Sequence, residues 1–237
     1  MVGKLDFFYV SFVQQFYENA KLPKGTNSSF ISLISKVDNP MQLNDYRPIS
    51  LVGCMYKLLA KTLARRLKVV LPSLVDEREM AFVEGRGLLQ SAVILNESLD
   101  EVRRMRKTCI FFKVDFEKAY DSVSWSFLLY MLQRLGFDDC WISWIKECLC
   151  SSSMSVLVNE SPTKEFNVQK GIRQGDPLAA LLLVLIAEGL TGLVREAIKK
   201  KLFSRVLVGS CKVPVDILQY VMTLYSLLRI ILRMLKL

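Results

Sequence analysis

Apolar residues recur with helical spacing in the first twenty positions, where Phe8, Val10, Val13, Phe16 and Tyr17 form the pattern, and the breaker LPKGTNSS ends the run. The short stretch Phe30-Ile-Ser-Leu-Ile34 predicts a strand, and the turn-rich NPMQLNDYRPIS predicts a connection opening a helix over about 54–71. In that helix Leu58, Leu59, Thr62, Leu63, Leu67 and Val70 share a face, while Lys57, Lys61, Arg65 and Lys68 lie elsewhere, so it is amphipathic and cationic. A second helix is predicted over 88–106, ending in Arg103, Arg104, Arg106 and Lys107, cations that suit the negative end of a helix dipole. The nearly continuous apolar run from Cys109 to Val114 predicts a buried strand that delivers Asp115 at its end. Helices follow over 123–135, stopped by Gly136, and over 138–149. Ser155-Val-Leu-Val158, the turn Asn-Glu-Ser-Pro and an extended return to Val168 predict a hairpin. No internal repeat or low-complexity tract interrupts this order.

Composition narrows the chemistry. At 237 residues and 51% hydrophobic the chain can bury a core, and it reads as globular. Its 32 Lys+Arg against 23 Asp+Glu give +9, which favours a polyanionic partner such as nucleic acid or an acidic membrane surface; a solvated basic exterior gives the same balance. The six cysteines include no C-x-x-C pair and there is no histidine, which argues against a zinc site, a His-based triad or a haem ligand. The first residues carry acid and amide groups within the apolar stretch and no small-residue cleavage site, so a non-secreted, intracellular setting with free thiols is expected. The central apolar run Leu178 to Ala187 is too short to span a bilayer. Near the C-terminus Ile217 to Leu228 is followed by RIILRMLKL, whose Arg229, Arg233 and Lys236 leave an amphipathic, membrane-associated tail open.

Two segments hold the candidate chemistry. In Lys113-Val-Asp-Phe-Glu-Lys-Ala-Tyr-Asp-Ser-Val123 a carboxylate stands where an apolar strand ends, a place from which a rigid element can hold an ion; Asp115, Glu117 and Asp121 are equally compatible with a solvated turn. In Gly171-Ile-Arg-Gln-Gly-Asp-Pro-Leu178 backbone N–H groups and a long amide precede a helix predicted to start at its proline, an edge suited to lining a nucleotide.

Taken in order, LPKGTNSSFISLISKVDNP, NDYRPISLVGCMYKLLAKTLARRL, AFVEGRGLLQSAVILNE, FKVDFEKAYDSVSW, WIKECL, SVLVNESPTKEF and GIRQGDPL resemble the reverse transcriptase domain of non-LTR (LINE-type) retrotransposons, especially the plant group. The resemblance covers about residues 20–220 and implies an α+β right-hand polymerase fold: a helical leader over 1–24, fingers over 25–110, a partial palm over 111–220, and too little remaining chain for a thumb. It implies RNA-directed DNA synthesis, in which a primer 3′-hydroxyl attacks a nucleotide α-phosphate with the help of two Mg²⁺ ions, and as partners an RNA template, a DNA primer and a dNTP. Asp115 matches one metal-binding carboxylate, with the backbone carbonyl of Phe116 beside it. Tyr120 matches the aromatic that lies under the incoming sugar, and Gln174 and Gly175 match positions lining nucleotide and template. Lys36 and Arg47 stand as finger contacts to the triphosphate or as ordinary exposed cations; Arg86 either touches template backbone or braces a turn. Glu117 and Asp121 fit the family pattern as structural residues. Ala179-Ala180 replace the Ser-Pro that usually follows RQGDPL in the family.

The family's remaining two carboxylates are adjacent aspartates in a hairpin of the form L-Q-Y-A-D-D-T-L-F-F, whereas this chain reads Leu218-Gln-Tyr-Val-Met-Thr-Leu-Tyr-Ser-Leu227. Val-Met-Thr-Leu-Tyr-Ser-Leu can be encoded GTG ATG ACN CTN TAY TCN TTR. From the third base of the valine codon this reads GAT GAC NCT NTA YTC NTT, which spells Asp-Asp-Thr-Leu-Phe-Phe for permitted choices of N and Y. Residues 221–237 are accordingly expected to be out of frame and this copy to be inactive. A catalytically dead nucleic-acid-binding remnant and a poorly folded product with an unpaired palm edge are the competing expectations, beside the membrane-associated tail.

Overall fold

The computed structural model describes residues 2–77, 82, 83, 85–106, 110–116, 118–209, 211–215, 217–220 and 223–230. In chain order these form α1 (Val2–Asn19), β1 (Ser28–Ser35), β2 (Tyr46–Val52), α2 (Cys54–Leu74), α3 (Leu88–Met105), β3 (Ile110–Asp115), α4 (Ala119–Ser122), α5 (Trp125–Arg134), α6 (Asp139–Cys150), β4 (Ser153–Val158), β5 (Ser161–Pro162), β6 (Phe166–Asn167), α7 (Ala179–Lys199), β7 (Phe203–Val208), β8 (Val213–Val215), β9 (Ile217–Tyr220) and β10 (Thr223–Ile230). The expected α+β class is what forms. The chain divides into two compact units: 1–67 with 120–182, and 68–119 with 183–237.

The first unit holds a sheet of order β2-β1-β4-β5, with β6 also on β4; β1 and β4 run parallel and the other pairs antiparallel. β2 lies where the sequence predicts only a turn-rich connection. Its Pro48 is tolerable because β2 is an edge strand, where a missing N–H leaves no ladder bond unmade. Asn159 and Glu160, at φ 48° and 64°, turn β4 into β5 in the left-handed conformation that a two-residue hairpin loop requires. The helices bury Phe16, Leu59, Leu63, Leu67, Leu128, Leu132 and Ile145 completely, and each such side chain contributes about 1.5–3 kcal/mol. Ser124 and Asp138 cap α5 and α6, accepting from the N–H groups of Phe127 and Cys140, and Gly136 at φ +81° follows the end of α5. α1 is fastened by a ring cluster: Tyr17 meets Trp144 edge-on at 4.4 Å, and the Arg66 guanidinium lies 5.4 Å from the Tyr17 ring and 5.6 Å from those of Trp141 and Trp144.

The second unit holds a sheet of order β3-β10-β7-β8, with β9 also paired to β10, and α3 packs on β7 and β9. Asp76, Glu188 and Arg195 form a charged knot: Arg195 pairs with both carboxylates, and Glu188 accepts from the Asp76 N–H at 3.0 Å. Thr223–Ile230, expected to leave the sheet unpaired, form β10 and pair with β3 along six register positions; among the described residues β3 has no second strand partner, so the open edge lies there. Residues 217–220 and 223–230 are strands and not an amphipathic helix. Among the described residues no helix is long and apolar enough to cross a membrane. Glu117, Lys107, Asp216, Val221, Met222 and the tail 231–237 lie outside the described residues.

Candidate active site

Asp115 is the last residue of β3, as the apolar run predicts, and Phe116 follows it. The register across three strands fixes what stands beside it: Asp115 is opposite Thr223 on β10, and Thr223 is opposite Tyr220 on β9. Directly opposed residues have Cβ atoms about 4.5–5.5 Å apart. Tyr220 at the end of β9 and Thr223 at the start of β10 thus stand in the row of Asp115. Aligned on Tyr220, the Y-A-D-D pattern puts alanine at Val221 and the two aspartates at Met222 and Thr223. The sequence supplies this row with one carboxylate, Asp115, and with threonine at 223 where the pattern has an aspartate. Paired hard divalent cations need several anionic oxygens, and this set does not fit them. Among the described residues no group of three or more Asp, Glu, Cys or His is gathered in a metal-binding arrangement.

The remaining predicted residues, Arg86 apart, belong to the first unit, where the loop 171–178 is held against two neighbours. On one side Ile172 N–H donates to the Tyr120 carbonyl at 2.8 Å and Gly171 N–H to that of Val123 at 2.8 Å, while Trp125 Nε1 donates to the Gly171 carbonyl at 2.7 Å. A Cβ on Gly171, at φ +84°, would stand 3.0 Å from the Asp121 carbonyl oxygen, so only glycine fits. On the other side Ser50 N–H donates to the Gln174 carbonyl at 2.8 Å, and a Cβ on Gly175, at φ +105°, would come 2.9 Å from Ser50 O. Tyr120 and Gln174 are thus both tied to this loop, and both are half-buried; burial raises the Tyr120 phenol above its ordinary range. Ile31, Pro48, Ser50, Asp121, Lys170 and Gln174 line a cavity of about 250 Å³ beside the loop.

Lys36 and Arg47 stand elsewhere. Lys36 Nζ donates to the Asn44 carbonyl at 2.8 Å, bracing the connection between β1 and β2, where the N–H groups of Gln42 and Met41 hold the Asp45 carboxyl below its usual range. Arg47 is exposed and opposite Ile34, so by strand alternation it occupies the face of β2 away from Pro48 and the cavity. In the second unit the Arg86 guanidinium donates to the Asp76 carbonyl at 2.7 Å.

Sequence reading missed the residues that hold the loop. The side chains of Arg173 and Asp176 are 5% and 7% exposed and pair at 3.0 Å. Tyr56 donates to the same carboxylate oxygen at 2.8 Å, and the Arg173 guanidinium lies 4.4 Å over the Tyr56 ring and donates to the Asn27 carbonyl at 3.1 Å. Burial first, then the Asp176 charge, pushes the Tyr56 phenol far up; burial likewise pushes the neighbouring Cys148 thiol up to about 12. Asp176 also sets the start of α7, accepting from Leu178 N–H on its carboxylate and from Ala179 N–H on its carbonyl, so the helix begins at Ala179 and not at Pro177.

Known proteins resemble this chain in sequence and in fold. A sequence model of the reverse transcriptase (RNA-dependent DNA polymerase) family matches residues 34–220. The 149 kDa protein of transposon TX1 from Xenopus laevis is 30% identical over 186 residues, covering 75% of this chain and 14% of that protein. The Pol polyprotein of the retrotransposable element R2 from Popillia japonica is 28% identical over 181 residues, covering 76% of this chain and 25% of that protein. The chain therefore spans a quarter or less of these relatives. Among solved structures, apo telomerase from Candida tropicalis superposes with a TM-score of 0.57 at 10% identity, covering 92% of this chain and 47% of that one. Telomerase from Candida albicans in complex with a fragment of telomeric RNA also gives 0.57, at 13% identity, over 93% and 40%.

Proposed function

This chain belongs to the reverse transcriptase family, whose activity is RNA-directed DNA synthesis and whose members normally use divalent metal ions, and we propose that it is a retrotransposon-derived copy that has lost that chemistry. The observation that carries the reading is the row Asp115–Thr223–Tyr220: position 223, opposite the surviving carboxylate, is where the family's second hairpin aspartate belongs. Residues 25–110 are assigned to fingers and 111–220 to a partial palm of a plant LINE-type element. The ancestor's template would be RNA, its primer DNA, its substrate a dNTP and its metal Mg²⁺. Tyr120, Gln174 and Gly175 would face the nucleotide, with Lys36, Arg47 and Arg86 as outer contacts to triphosphate and template.

A single lost base explains the hairpin. Met222 and Thr223 admit only ATG-ACN, so GAC, an aspartate codon, is obligatory in the shifted frame. The preceding aspartate, GAT, requires only that the Val221 codon be GTG, which is what GCT for alanine becomes when its C is deleted. The nucleotide sequence across codons 220–223 is expected to read TAY GTG ATG ACA; any other valine codon excludes the slip.

A further inference from the structure

We propose that the outer face of α2 is a surface for the phosphate backbone of RNA, built from Lys57, Lys61, Arg65 and Lys68. At 100° per residue these four fall within an arc of about 80° and span about 16 Å of helix axis, recurring every ~4.5–6 Å. All four are exposed, and the helix contains no Asp or Glu. Its opposite face, with Leu59, Leu63 and Leu67 at 0% exposure, is locked into the core, so the cations stand on a rigid rod.

Other basic clusters of the chain carry their own counter-charges: Arg103 pairs with Asp100, Arg104 with Glu101 and Lys200 with Glu196. Among the described residues no ion pair engages Lys57, Lys61, Arg65 or Lys68. α2 therefore presents, among the described residues, four exposed cations in one stripe with no acidic residue on the helix to offset them. An acidic membrane suits it less well, because an interfacial helix inserts an apolar face, and that of α2 is already buried, with Val69 the one strongly exposed apolar side chain beside the stripe. The inference rests on the reading above only for RNA as the class of polyanion, and it does not depend on whether the chain polymerises.

The test is binding of a labelled single-stranded RNA to the whole 237-residue chain between about 50 and 200 mM salt. Changing Lys57, Lys61, Arg65 and Lys68 together to Gln is expected to lower the slope of log K against log salt by about 3 and to weaken binding tenfold or more at the low-salt end. The charge-conserving set Lys57→Arg, Lys61→Arg, Arg65→Lys and Lys68→Arg should retain the slope, and far-ultraviolet circular dichroism checks that both variants fold. Lys199→Gln, Lys200→Gln and Lys201→Gln together should shift the slope by less than about 1. An unchanged slope in the α2 Gln variant, or an equal loss from the 199–201 variant, overturns the proposal. So does an unaltered chain that binds no RNA, or that floats with anionic vesicles through the same four residues while RNA fails to compete. Primer extension leaves these outcomes untouched, so the two readings fail separately.

Discussion

Replacing Val221, Met222 and Thr223 by Ala, Asp and Asp in the otherwise unaltered chain is expected to create divalent-cation binding and to raise primer extension on an RNA template by about 10³-fold or more. Position 223 is the register partner of Asp115, so the change sets a second carboxylate opposite the first and supplies a third one residue before it in the sequence. Metal ions stabilise developing charge in phosphoryl chemistry by several kcal/mol, and each 1.36 kcal/mol is about tenfold in rate. The rest of the sheet need not move: β10 already pairs with β3, β7 and β9 through residues unaffected by the replacement. Titration with Mn²⁺ followed by electron paramagnetic resonance reads the binding, and dNTP incorporation reads the rate. If neither changes, the loss of activity lies elsewhere than in the two aspartates.

Asp176→Ala is expected to destabilise the chain by about 3–5 kcal/mol, the cost typical of breaking a buried ion pair. It would leave the Arg173 guanidinium buried without its counter-charge, remove the acceptor of Tyr56 and strip α7 of its cap. A lower urea midpoint with an unchanged slope would register this. Removing both charges, as Arg173→Met with Asp176→Leu, should cost clearly less than the two single changes added together, because no unpaired charge remains. Additivity would mean that the pair is not the element holding loop 171–178.

The fold was legible where periodicity is strong. α2, β3, α5 and α6 appear within a few residues of their predicted bounds, since their apolar spacing, caps and Gly136 all point the same way. β2 was hidden because Asn, Asp and Pro usually mark turns, and only its edge position lets Pro48 sit in a strand. β10 follows from composition: Thr-Leu-Tyr-Ser-Leu-Leu-Arg-Ile is rich in strand formers whatever frame produced it, and it finds partners in β3, β7 and β9. Motif order singled out Asp115 in the second unit and Tyr120, Gln174 and Gly175 in the first. It was silent about Arg173, Asp176 and Tyr56, because Tyr56 and Asp176 are 120 residues apart and polar residues in a loop look the same whether buried or solvated. Lys36 and Arg86 show the converse, cations whose type fits a phosphate but whose side chains here donate to the backbone carbonyls of Asn44 and Asp76.

The central claim is that one of the three carboxylates, Asp115, is too few for nucleotidyl transfer, and primer extension by the unaltered chain on an RNA template, with dNTPs and Mg²⁺ or Mn²⁺, tests it most directly. Incorporation is expected to be no greater than that of the Asp115→Ala variant; clear incorporation by the unaltered chain that Asp115→Ala abolishes would show that Asp115 suffices.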